Sequence, residues 1–100
     1  MTRVRRVTVV ANQSLEVELT TRLVELGASG YTVIPCRGAG RAALAEGNGE
    51  HDAQVRLEAV VSQAVSDDIL DYIRHEIAPH YPVTACTETV EVLRKDQFVS

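Results

Sequence analysis

"AQVRLEAVVSQAVSDDILDYI", residues 53–73, changes its hydrophobic period once, and that change decides the architecture. Val55, Leu57, Ala59 and Val61 recur at every second position against Arg56, Glu58 and Val60, which predicts a half-buried strand over Ala53–Val61. After Ser66-Asp67-Asp68 the apolar residues recur at every fourth position, as Ile69, Ile73 and Ile77. That spacing predicts a helix, with the serine as N-cap and the carboxylates at the positive end of its dipole. Pro79 ends it.

The same strand-then-helix order opens the chain. Residues 5–11 are β-branched and alternate Val7, Val9 and Ala11 on one face. Ser14 is the expected N-cap of the helix that follows, Glu16 and Glu18 lie in its first turn, Leu15, Leu19, Leu23 and Leu26 form its apolar stripe, and Gly27 stops it. Tyr31–Cys36 reads as the second strand and Val83–Leu93 as the last. Within the last strand the apolar parity switches between Ala85 and Val90, which predicts a bulge near Thr87.

The order is β-α-β-β-α-β. The fold class that follows is α+β, a ferredoxin-like sandwich in which two helices cover one face of a four-stranded antiparallel sheet. Thr8, Val10, Arg56, Glu58 and Val60 fall on the other face by alternation. Their mixture of apolar and oppositely charged residues suits a surface between subunits better than bulk water.

A length of 100 residues with 45% hydrophobic content fits one domain, 1–100. The start of the chain carries no secretory apolar core and no run long enough to span a membrane, so the expected location is cytoplasmic. A net charge of −4 argues against nucleic acid as the main partner. Positive charge is nonetheless local, with Arg3, Arg5 and Arg6 at one end and Arg37 and Arg41 flanking two glycines. Cys36 and Cys86 lack the close spacing of a zinc site or redox pair, and their strand-like surroundings predict reduced core thiols.

The connection Gly38–Ala53 is far longer than the usual four to six or so residues. Glycines at 38, 40, 47 and 49 permit close backbone approach, successive amides in such turns form anion-binding concavities, and Arg37 and Arg41 add forked cationic donors. The composition fits a receiver for an anion and equally a hairpin loop with solvated arginines. The dinucleotide fingerprint hinted at by Gly38-Ala39-Gly40-Arg41-Ala42-Ala43 fails, because Gly47-Asn48-Gly49 leaves no room for a crossover helix.

His75-Glu76-Ile77-Ala78-Pro79-His80 is one residue longer than the zincin spacing, which swings the second imidazole roughly 140° around a helix, so both histidines are read as surface residues and no metal site is assigned. His51 stays open. No nucleophile, base and orienting group stand in a catalytic pattern, and the chain is not read as an enzyme.

Two pieces carry a resemblance. "LVELGASGYTVIPCRGAGR", residues 23–41, resembles the helix-to-loop segment of PII signal-transduction proteins, and "VRLEAVVSQAVSDDILDYI", residues 55–73, resembles their third strand and second helix. The similarity runs from about residue 5 to 94. It implies a homotrimer with adenine-nucleotide sites between subunits and a long T-loop at about 38–53 that contacts a target protein. It also implies that Thr32 and the backbone around Val60 receive the adenine, and that Gly38, Gly40 and Arg41 meet the phosphates, with Arg37, a forked donor beside them, a further nucleotide-binding candidate. Glu58 matches a glutamate of the third-strand motif, and Arg94 an arginine that reaches the neighbouring subunit's site.

The departures refine this. PII proteins carry a glycine-rich, lysine-ended loop before the last strand, where this chain has His80-Tyr81-Pro82-Val83. Fewer amides and no ammonium for a γ-phosphate favour AMP, ADP or cyclic AMP over ATP. The loop has no tyrosine, so uridylylation of the PII kind is not expected. With "CTETVEVLRKDQF", residues 86–98, these features are similar to the PII-like branch linked to carboxysomes and bicarbonate transporters. Bicarbonate, a small planar anion, would then sit on Gly38, Gly40 and Arg41. The competing class is a ferredoxin-like interaction or metal-tolerance module with no nucleotide ligand.

Overall fold

A computed structural model of the chain describes residues 2–39 and 52–93. Strand β1 (Thr2–Asn12) leads through a 3-10 turn (Gln13–Leu15) into helix α1 (Glu16–Glu25). Strands β2 (Thr32–Gly38) and β3 (Asp52–Val61) follow, then helix α2 (Gln63–Tyr72), which continues as a π-helical turn (Ile73–Ile77), and strand β4 (Val83–Val92). The sheet is antiparallel with order β2-β3-β1-β4, and both helices lie on one side. This is the expected ferredoxin-like arrangement.

The core is the meeting of alternation with helical stripe. Val7, Val9 and Ala11 of β1 and Val55, Leu57, Ala59 and Val61 of β3 face Leu15 of the 3-10 turn with Leu19 and Leu23 of α1 on one side and Val65, Ile69, Ile73 and Ile77 of α2 and its π-helical turn on the other. Each of these side chains is at most 6% exposed. Arg22 ties the helices together at the surface, its guanidinium 5.3 Å above the Tyr72 ring and 3.1 Å from Glu25.

Both helix starts differ from the sequence expectation. The cap ahead of α1 is Asn12, whose Oδ1 accepts from the Ser14 N–H at 2.9 Å, so Ser14 lies inside the turn it was expected to open. The cap of α2 is Ser62, whose Oγ accepts from the Val65 N–H at 3.3 Å. β3 ends at Val61, leaving a single extended residue to begin the helix, and Ser66 is then one turn inside it and buried. Gly27 does end α1. Its φ of 120° lets Gly27 N–H bond to Val24 O at 3.1 Å and Ala28 N–H to Leu23 O at 3.0 Å.

The bulge expected near Thr87 is absent. β4 pairs with β1 in unbroken register from Val83↔Ala11 to Val92↔Thr2. The parity switch has another cause: Val90 pairs with Val4 on the face away from the helices, and Val4, 6% exposed, stands apart from the main core. The cysteines also depart from expectation. Cys86 is exposed and Cys36 half-buried, because each alternates onto the uncovered face, Cys86 opposite Thr8 and Cys36 opposite Gln54. Finally, β2 and β3 zip further than predicted, to the pair Gly38↔Asp52.

Candidate functional site

The uncovered face of the sheet is ordered by register. One row runs Thr32, Glu58, Thr8, Cys86 across β2, β3, β1 and β4, and the next runs Val60, Arg6, Glu88. At the end where β2 begins, these rows and the Ser29-Gly30-Tyr31 connection enclose a cleft of about 550 Å³. Arg6, Thr32, Glu58 and Val60 line it. Three elements remote in sequence therefore deliver polar groups to one concavity, the arrangement expected of a ligand site.

Its charges are paired within the chain. Arg56 Nε donates to Glu58 Oε1 at 2.9 Å, and Arg6 donates through Nε at 2.8 Å and Nη2 at 2.5 Å to Glu88 Oε1. The hydrogen bond from Glu88 and its charge raise the Arg6 pKa above its ordinary value, with a smaller contribution from Glu58. Arg6 is a permanent cation.

Thr32, Glu58 and Val60, expected at a nucleotide site from the sequence, are thus together. Arg37 and Gly38 are not with them. Gly38 is six positions along β2 from Thr32, roughly 20 Å at the usual rise, and Arg37 alternates onto the helix side of the sheet. Gly40, Arg41, Arg94 and His51 lie outside the described residues. His75 and His80 are exposed, as read from the sequence.

Arg6 is the charged lining residue absent from the sequence reading of the site, as Ser29, Gly30, Tyr31 and Ala59 are among the others. In the sequence it clusters with Arg3 and Arg5, yet it stands two residues before Thr8 and shares its parity, which assigns it to the same face. A smaller cleft, about 320 Å³, lies at the other end of the sheet between Asn12, Ser14, Gln54 and Tyr81. Here the Gln54 carboxamide rests against Gly38, where an added Cβ would come within 2.8 Å of its oxygen. Tyr81 sits in the turn that stands before β4, its N–H bonded to Ile77 O at 2.9 Å.

The chain matches the nitrogen regulatory protein P-II family over residues 4–97. It belongs to the P-II family. A PII-like signalling protein from Thermus thermophilus is 37% identical and superposes with a TM-score of 0.83, over 97% of this chain and 96% of that one. CPII from Thiomonas intermedia, in a structure bound to ADP and bicarbonate, is 15% identical with a TM-score of 0.83, covering 98% and 96% of the two chains. The Bacillus subtilis GlnK–ATP complex is 16% identical with a TM-score of 0.67, covering 88% and 82%. No curated protein matches the chain. In this P-II family member, no helix among the described residues is long and apolar enough to cross a membrane.

Proposed function

We propose that this chain is a non-catalytic regulator that binds an adenine nucleotide, AMP, ADP or cyclic AMP, in the cleft on the open sheet face, at a seam between subunits of a homotrimer. The observation that carries the reading is the convergence of Thr32, Glu58 and Val60 on one concavity. CPII, a fold relative, has been solved with ADP, AMP and bicarbonate. The loop at about 38–53 passes the nucleotide state to a partner in inorganic-carbon or nitrogen metabolism, of the transporter or carboxysome-related kind, in the cytoplasm. Bicarbonate is the second ligand, held on Gly38, Gly40 and Arg41, while Arg94 completes the phosphate contacts and Arg37, on the helix side of the sheet, is left out of them.

The roughly 20 Å between Thr32 and Gly38 fits a site shared between copies. On that reading, one subunit supplies the base-binding end and another the loop root. The His80-Tyr81-Pro82 turn supplies no ammonium for a third phosphate, which favours the shorter nucleotides.

Calorimetry and thermal shift with AMP, ADP, ATP and cyclic AMP test this directly. A ligand at about 100 times its dissociation constant adds about 2.7 kcal/mol of stability, well within detection. Arg41→Ala is expected to abolish adenylate binding and leave the trimer intact by light scattering. With ADP present, bicarbonate is expected to give heat where chloride gives none. A chain that binds none of these nucleotides is the interaction or metal-tolerance module instead.

A further inference from the structure

On the open face, four charged side chains on three neighbouring strands alternate in sign: Arg56 and Glu58 on β3, Arg6 on β1 and Glu88 on β4. Glu58 is close enough to act electrostatically on Arg6, which joins the two hydrogen-bonded pairs into one ladder. Glu88 and Arg56 stand outside the cleft, while Arg6 and Glu58 line it.

The hydrogen bonds determine what is left over. Glu88 engages Arg6 through Nε and Nη2, so among the described residues the donors on Nη1 remain. Arg56 engages Oε1 of Glu58, so among the described residues Oε2 remains an acceptor. The cleft therefore offers a donor beside an acceptor, each held by a partner outside the cleft, with no net charge over the four groups. A phosphate, which only accepts, would match half of this pair and be repelled by the other half. Adjacent hydroxyls each donate and accept, and satisfy both halves.

We propose that Arg6 and Glu58 together recognise the vicinal hydroxyls of a ribose, and that Glu88 is a positioning residue acting through Arg6. This rests on the nucleotide reading above: with the base at Thr32 and the Val60 backbone, the sugar is the part of the ligand left for the pair. The preorganised fork matters because a guanidinium held by a carboxylate loses less freedom when it meets the ligand.

The test is calorimetry on the full chain with ADP, 2′-deoxy-ADP and 3′-deoxy-ADP. The wild type is expected to prefer ADP by about tenfold or more, the usual effect of a hydrogen bond to a charged group. Arg6→Met is expected to weaken ADP by about tenfold and erase the preference. Arg6→Lys keeps the charge without the fork and erases the preference too. Glu88→Gln, outside the cleft, moves affinity in the same direction by a smaller factor. The swap Arg6→Glu with Glu88→Arg rebuilds the ion pair but takes the donor out of the cleft, so wild-type mass by light scattering should return without the ribose preference. Equal wild-type affinity for ADP and both deoxy analogues overturns the inference, as does recovery of the preference in the swap, which would make the pair merely structural. Those outcomes leave the nucleotide reading standing, whereas a wild type that binds no adenylate removes both.

Discussion

Gly27 shows how one residue sets a boundary. Its positive φ closes the end of α1, and its Cα faces the neighbouring helix so closely that an added Cβ would lie 3.0 Å from Val65 Cγ2. Backbone strain and crowding act together at this position, so Gly27→Ala is expected to cost about 1–3 kcal/mol in urea unfolding. Tyr72 gives a prediction in pH. Burial, then the charges of Glu18 and Glu76, hold its phenol pKa above the ordinary value of 10.0, with Arg22 opposing. Below about pH 10 the phenol is neutral folded and unfolded, and its contribution is complete. As pH rises further the unfolded chain releases the proton first, so stability falls through the folded pKa. Denaturant midpoints across pH 8 to 11 should therefore fall more steeply for the wild type than for Tyr72→Phe.

Among the elements, the helix starts carry the clearest test. Ser62→Ala is expected to cost about 1 kcal/mol, because it removes the oxygen that accepts from Val65 N–H. Asp67→Ala and Asp68→Ala, exposed and one turn further in, should stay within about 0.5 kcal/mol. A loss at Asp67 and Asp68 as large as that at Ser62 would return these carboxylates to the first turn of the helix, where the sequence pattern places them. The two serines show why this boundary was illegible: Ser62 and Ser66 both precede helix-forming residues, and the choice between them depends on where β3 ends, which its register with β1 decides. β3 itself was legible because Val55, Leu57, Ala59 and Val61 recur at every second position, with Val60 the one apolar residue between them. β4 was misjudged for a tertiary reason, since Val90 is apolar to meet Val4 on a face that local periodicity treats as solvent. The cleft divides similarly. That Thr32, Glu58 and Val60 come together in it was legible by family resemblance, whereas Arg6 needed the β1–β3 register to show which residues share its row.

For the whole molecule the open face is the property that matters. Val4, Val10, Ile34 and Val60 share it with Arg6, Arg56, Glu58 and Glu88, so its apolar groups are interleaved with charges already paired inside the chain. Such a face can be covered by another copy without stranding an unpaired ion. Cys86 is a natural probe of that covering, being exposed in the single chain and next to Thr8 in the sheet. If this face is the seam of the proposed trimer, a thiol reagent should modify Cys86 slowly in concentrated protein and faster on dilution, with Cys36→Ser used to isolate the signal. A rate independent of concentration would place the seam elsewhere.

The pairing of Gly38 with Asp52 has a geometric consequence for any target of the intervening segment. Both ends of residues 39–51 leave from a single rung, about 5 Å apart. A chain that must go out and return to that rung can extend at most about 20 Å beyond the sheet. A partner that engages this segment must therefore approach within that distance of the sheet margin where Gly38 pairs with Asp52.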